Sequence, residues 1–198
     1  MRLRCANSIS IFFRSRATSR RPQSWRYRAR RLGRSRKLNA GPCEQAFSDG
    51  AFVNKQFDRS LTWRDIEWVA EKWGGPLAVK GILRPEDALS AVKSGADTII
   101  VSNHGGRQLD GAASSISCIS AIAQTLGGAA SIVCDGGIRR GSHIVEALAA
   151  GATACSIGRP YLYGLAVGGE HGVDRVIRIL IEKFDRCLAL LGVSDLGR

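Results

Sequence analysis

The chain has 198 residues with 29 basic and 17 acidic side chains, a formal net charge of +12. Residues 1–47 hold that whole excess, twelve arginines and Lys37 against Glu44, while residues 48–198 carry 16 basic and 16 acidic side chains, so a basic surface is excluded as a property of the remainder. No stretch approaches the roughly 20 apolar residues that span a bilayer, and the six cysteines (Cys5, Cys43, Cys118, Cys134, Cys155 and Cys187) form no C-x-x-C pair, so neither a metal site nor a redox motif is expected.

Residues 1–47 show no apolar run longer than "ISIFF", and their like charges repel, which predicts a disordered Arg-rich segment. Three readings stay open for it: a polyanion-binding arm, an organelle presequence, which is Arg- and Ser-rich and acid-poor, or a non-native start joined to a partial domain.

Regular patterning begins at Thr62. "TWRD" offers an N-cap with an acid three residues on, and Trp63, Ile66, Val69, Ala70 and Trp73 recur at helical spacing up to Gly74-Gly75-Pro76. "PLAVKG" reads as a short buried strand. Pro85, followed by Glu86 and Asp87, starts a second helix that Gly95 closes. "DTIIVS" is the next strand, a helix covers about 115–126, "SIVCD" is a strand, a helix runs from Ser142 to Ala150, and "ACSIG" is the last strand. A long amphipathic helix, Val173 to Leu191, ends the pattern. The strands are apolar without in-out alternation, as parallel strands buried on both faces are, so the fold class is α/β with about four βα units. Cys134 and Cys155 fall inside such strands and read as small core residues in a reducing compartment.

The strand endings carry the chemistry. In barrel enzymes the working residues stand at the C-terminal ends of strands and in the loops that follow. Lys80 ends the first strand; it either snorkels at the surface or offsets negative charge on a ligand. The second strand runs into "SNHGGRQLD", where His104 is a natural proton acceptor near neutral pH. Arg107 offers a planar fork matched to a carboxylate, and Gly105 and Gly106 clear side chains from a ligand's approach. The third and fourth strands end in "CDGGIRRG" and "SIGRP", glycine turns that lead into helices. Such turns expose N–H groups suited to a phosphate, and Arg139 and Arg159 can add charge-assisted bonds. Asp135 either fixes its loop or binds hydroxyls of a ligand. His143 and His171 read as surface or capping residues, and Tyr161 and Tyr163 as packing residues.

"SNHGGRQ", with "VKGILRPEDA", "DGGIRRGS" and "IGRPYLYGLA" in the same order, resembles the signature of the FMN-dependent α-hydroxy-acid oxidases and dehydrogenases, from about Phe52 to Leu191. The resemblance implies the C-terminal half of a (β/α)₈ TIM barrel over residues 48–198, the preceding 1–47 matching nothing in the family. It implies FMN as cofactor and an L-2-hydroxy acid of the lactate, mandelate or glycolate type as substrate, with oxygen or an electron carrier as acceptor. His104 would be the catalytic base and Arg107 would hold the substrate carboxylate. Lys80, Ser102, Asp135, Gly136, Gly137, Ile138, Arg139, Gly158 and Arg159 would bind the cofactor, with Lys80 offsetting negative charge on its ring.

The early strands of such a barrel find no match, so the chain is expected to be a truncated form, and the non-native start is the preferred reading of residues 1–47. The alternative is a catalytically impaired remnant that retains a phosphate- or FMN-binding half-barrel. Nucleic-acid binding through the tail is the least favoured reading, since no recognised module accompanies the charge. Open strand edges predict a homo-oligomer. A location in the cytoplasm or at a membrane periphery, without a transmembrane segment, follows from the hydropathy.

Overall fold

The computed structural model describes residues 10–13 and 60–193, and all of these but Ser60 belong to one compact unit. The elements in chain order are β1 (Ser10–Phe13), α1 (Trp63–Trp73), β2 (Leu77–Ile82), α2 (Pro85–Lys93), β3 (Thr98–Ser102) and a 3-10 turn at His104–Gly106. There follow α3 (Ser115–Leu126), β4 (Ser131–Asp135), α4 (Gly141–Ala149), β5 (Ala154–Ser156) and α5 (Arg159–Leu190).

Local signals set most boundaries. Asp65 accepts from both the backbone N–H and the hydroxyl of Thr62, at 2.6 and 2.8 Å, closing the capping box that starts α1. Gly74 in the left-handed region ends it. Pro85 opens α2, with Glu86 and Asp87 in its first turn, where the helix dipole favours acids.

The sheet order is β1-β2-β3-β4-β5. Strands β2 to β5 pair in parallel, in sequence order, with helices as crossovers, which is the repeating unit of a barrel laid out strand by strand. The core lies on one face. Leu77, Val79, Ile99, Val101, Ile132 and Cys134 are buried there against Ala88, Ala91, Ile119, Ile122 and Ala147 of the helices.

Three features depart from the sequence reading. The alternate strand positions Ala78, Lys80, Ile100, Val133 and Asp135 are only half-buried. Among the described residues the helices cover one face of the sheet, whereas apolar residues at every position had suggested two. Strand β1 was not expected: "SIFF" pairs antiparallel with β2, from Ser10 opposite Lys80 to Phe13 opposite Leu77. The remainder of the segment expected to be disordered, residues 1–9 and 14–47, lies outside the described residues, as does Phe52.

The third departure is at the C-terminal end. α5 begins at Arg159 and continues through a break at Gly168 and Gly169, whose backbone angles are not helical. His171 therefore lies within the helical span, ahead of the Val173 start read from the sequence. Tyr161 and Tyr163 are not packing residues; they stand on the new first segment at 37% and 68% exposure.

Candidate active site

Because register partners on parallel strands share a face, the C-terminal ends of β3, β4 and β5 bring Ser102, Asp135 and Ser156 into one row, Ser102 opposite Asp135 and Asp135 opposite Ser156. Asp135 is the hub. The Ser102 hydroxyl donates to its Oδ2 at 2.6 Å, and Lys80 Nζ lies 3.1 Å from the same oxygen. Burial alone would raise the Asp135 carboxyl; hydrogen bonds from Ser102, Ser156 and Lys80, and then the Lys80 charge, outweigh it and hold the group below its ordinary value. Asp135 is therefore ionised, and it fixes the ammonium of Lys80, which stands within β2 and not at its end, since the strand runs on to Ile82.

The loop after β3 is wired to the same hub. His104 N–H donates to the Ser102 hydroxyl at 3.0 Å, Gly105 N–H donates to Asn103 Oδ1 at 2.9 Å, and Ser115 at the start of α3 donates to the Asp135 carbonyl at 2.6 Å. These bonds hold a run of left-handed backbone: His104 has φ 57, Gly105 φ 70 and Gly106 φ 74. His104 is the one non-glycine residue with positive φ among the described residues. Strain of this kind costs on the order of 1 kcal/mol or more and persists where surrounding bonds impose it. Burial, then the nearby Lys80 charge, lower the His104 pKa from 6.5, and Asp135 only partly opposes them. The imidazole is thus kept neutral near pH 7, able to accept a proton.

These residues open onto one cleft of about 790 Å³, within the roughly 300–1,000 Å³ usual for small-molecule sites. All the site residues read from sequence line it except Ser102, which is 1% exposed and acts from beneath through Asp135. The lining holds four cationic side chains, Lys80, Arg107, Arg139 and Arg159, and a single carboxylate, Asp135. Among the described residues the three arginines have no carboxylate partner. The arrangement suits an anion, or two. Gln108, Ser156, Pro160 and Leu162 also line the cleft and were not singled out from sequence. Ser156 alone had a usable signal, since "SIG" ends the fourth strand as Ser102 and Asp135 end the second and third.

His143 is not the cap of α4, whose N-cap Arg140 has no side-chain cap bond. Its Nδ1 lies 3.0 Å from the Gly137 carbonyl and 3.3 Å from the Arg139 backbone nitrogen, bracing the glycine turn from the first turn of α4.

A family model described as FMN-dependent dehydrogenase matches residues 6–198, opening well before Phe52. The chain is 51% identical over 145 residues to the L-lactate oxidase of Nostoc sp., covering 73% of this chain and 40% of that protein. It is 49% identical over 151 residues to the peroxisomal (S)-2-hydroxyacid oxidase GLO3 of Arabidopsis thaliana, covering 75% and 42%. Among solved structures, the monotopic membrane protein (S)-mandelate dehydrogenase superposes with a TM-score of 0.70 at 44% identity, over 74% of this chain and 39% of that one. A mandelate oxidase superposes at 0.67 and 41%, over 71% and 43%. The chain spans about 40% of the length of the curated relatives it matches. No described helix is long and apolar enough to cross a membrane. The parallel sheet, the strand-end cleft and these matches agree: the chain belongs to the FMN-dependent dehydrogenase family.

Proposed function

We propose that the cleft binds FMN and carries the oxidation of an L-2-hydroxy acid, of the lactate, mandelate or glycolate type, to the 2-oxo acid. The observation that carries this is the opening of His104, Arg107 and Lys80 onto the same cleft as two glycine-rich turns whose arginines have no carboxylate partner among the described residues.

The residues fit a phosphorylated flavin. Where a side chain at Gly137 or Gly158 would stand there is open space, with no atom within 4 Å, so a ligand can approach the backbone. The N-terminus of α5 at Gly158-Arg159 has no side-chain cap and no acid in its first turn, which leaves its N–H groups and dipole for an anion. Arg139 and Arg159 would hold the phosphate, Asp135 and the turn Gly136-Gly137-Ile138 would line the chain that carries it, and Lys80 would stand by the ring. Ser102 supports this set by orienting Asp135. When bound, FMN supplies a two-electron acceptor for oxidation of the substrate's alcohol carbon.

The chain's own residues do the remainder. The Arg107 fork orients the substrate carboxylate. The neutral His104 imidazole accepts a proton from the substrate. Lys80, fixed by Asp135, presents a stationary positive charge where negative charge grows. Oxygen or an electron carrier would serve as final acceptor. Self-association across the outer edge of β5, which has no partner strand among the described residues, belongs to the same proposal.

Fluorescence titration of the full chain with FMN and with riboflavin, which lacks the phosphate, tests the cofactor half; oxo-acid formation from L-lactate and L-mandelate tests the chemistry. FMN is expected to bind roughly tenfold or more tighter than riboflavin, the equivalent of about 1.5–3 kcal/mol for charge-assisted bonds. Equal affinity for the two would overturn the proposal. Preferential FMN binding without oxo-acid formation would leave the scaffold reading in its place.

A further inference from the structure

Cys134 and Cys155 are register partners on β4 and β5, so their side chains leave the sheet on the same face, the one that the helices cover. Cys134 is fully buried, and Cys155 packs half-buried against the same core. Both are free thiols, and the cleft at the strand ends uses neither sulfur. Burial, then the Asp135 charge, push the Cys134 thiol up. Burial, then the neighbouring Cys134, push Cys155 up to about 11. Both are protonated at neutral pH and slow toward oxidants that need a thiolate.

Cys155 also lines a second, apolar cavity of about 230 Å³ between α4 and α5, with Ile144, Ile177, Leu180 and Phe184. It has room for one small apolar group. No cluster of three or more His, Cys, Asp or Glu able to hold a metal ion occurs among the described residues, so a four-coordinate cation finds no set of ligands here.

Distance decides what two such sulfurs can share. Neighbouring strands stand about 4.7–4.9 Å apart, within the Cα separation of roughly 4.4–6.8 Å from which two cysteine sulfurs can meet. Both thiols are free, and sulfurs on adjacent register partners can share one interposed soft atom, which paired thiols favour.

We propose that Cys134 and Cys155 form a dithiol site for a trivalent arsenical bearing one small apolar substituent, which seats in the cavity between α4 and α5. The reaction balances without an oxidant. Two S–H bonds and the arsenic–oxygen bonds of R–As=O break, two As–S bonds form, the thiol protons leave with the oxygen as water, and arsenic stays trivalent. Because Asp135 and Ser156 directly follow the two cysteines, the bridge ties β4 to β5 one residue below the hub of the cleft.

The probe is phenylarsine oxide on the full chain, read by intact mass. One adduct per chain is expected, with the mass of the reagent less one water, released by ethanedithiol and retained in excess monothiol. Cys134→Ala and Cys155→Ala should each lose it, while Cys118→Ala, Cys187→Ala and the pair Cys5→Ala with Cys43→Ala should keep it. Peptide mapping of the wild-type adduct, which depends on no variant folding, should join the Cys134 and Cys155 peptides through arsenic. Arsenic joining any other pair, an adduct that survives in both single variants, or no adduct on the folded wild type overturns the proposal.

Discussion

Lys80 Nζ stands 3.1 Å from Asp135 Oδ2, an ion pair that joins β2 to β4 across the end of β3, the strand between them. Both side chains are mostly shielded, at 22% and 16% exposure, and Asp135 also accepts from Ser102. Asp135→Ala leaves these donors without their acceptor and should destabilise the fold by about 1–3 kcal/mol in urea unfolding. The pH dependence follows from the direction of the shift. Asp135 is more acidic folded than unfolded, so its stabilisation is complete above the unfolded carboxylate value and is lost as pH falls through the lower folded value. The wild-type protein should lose stability on acidification more steeply than Asp135→Ala does. Parallel stability curves for the two would refute the role of Asp135 as hub.

His104 gives a second test, of the same sign, with the same groups. Its folded pKa lies below 6.5, first from burial and then from Lys80. Between that folded value and 6.5 the unfolded chain binds more protons, so the histidine's contribution to stability is complete above 6.5 and declines as pH drops below it. An NMR titration of the imidazole should give a midpoint under 6.5 in the wild type. Lys80→Met should move it up, and Asp135→Asn, which removes the opposing influence, should move it down. An unchanged midpoint in Lys80→Met would show that the ammonium does not set the base.

Much of this was legible in the sequence because the signals are local. The capping box at Thr62 and Asp65, Pro85 at a helix start, and the polar strand endings each act over a few residues, and the strand endings sit at the cleft because parallel strands share one direction. The first half of α5 was not legible. The helix read from sequence starts only at Val173, because the glycines of "YLYGLAVGGEHG" lack helix propensity, and only the fold shows their use: Gly164 and Gly172 meet backbone to backbone across the break, where any side chain would intrude. The wiring behind Asp135 was also hidden. Ser115 reaches its carbonyl over a separation of 20 residues, and Ser102 its carboxylate over 33, and no short-range pattern encodes such pairings.

The strained backbone at His104 makes stability and chemistry trade against each other. His104→Gly removes the side-chain penalty at φ 57 and also the proposed base. The variant should be as stable as the wild type or more stable, by up to about 1 kcal/mol, while any oxo-acid formation disappears. His104→Ala, which keeps a Cβ in the left-handed region, should show the same loss of turnover without the gain. If His104→Gly proves less stable than His104→Ala, the strain account fails.

Gly105 and Gly106 form a matched pair that separates backbone strain from anion binding. Both have positive φ, so alanine at either should cost stability by a comparable amount, on the order of 1 kcal/mol. Their surroundings differ. A Cβ at Gly105 would stand 3.4 Å from Arg159 Nη2, whereas one at Gly106 meets nothing within 4 Å. A separation of 3.4 Å from the tip of a flexible side chain is an ordinary contact, so alanine at either position leaves Arg159 where it stands. Titration with FMN should show affinity close to wild type in both glycine variants, with Arg159→Ala lower than either by the loss of a charge-assisted contact. Wild-type FMN affinity in Arg159→Ala would show that Arg159 does not hold the phosphate from where it stands beside the loop after β3.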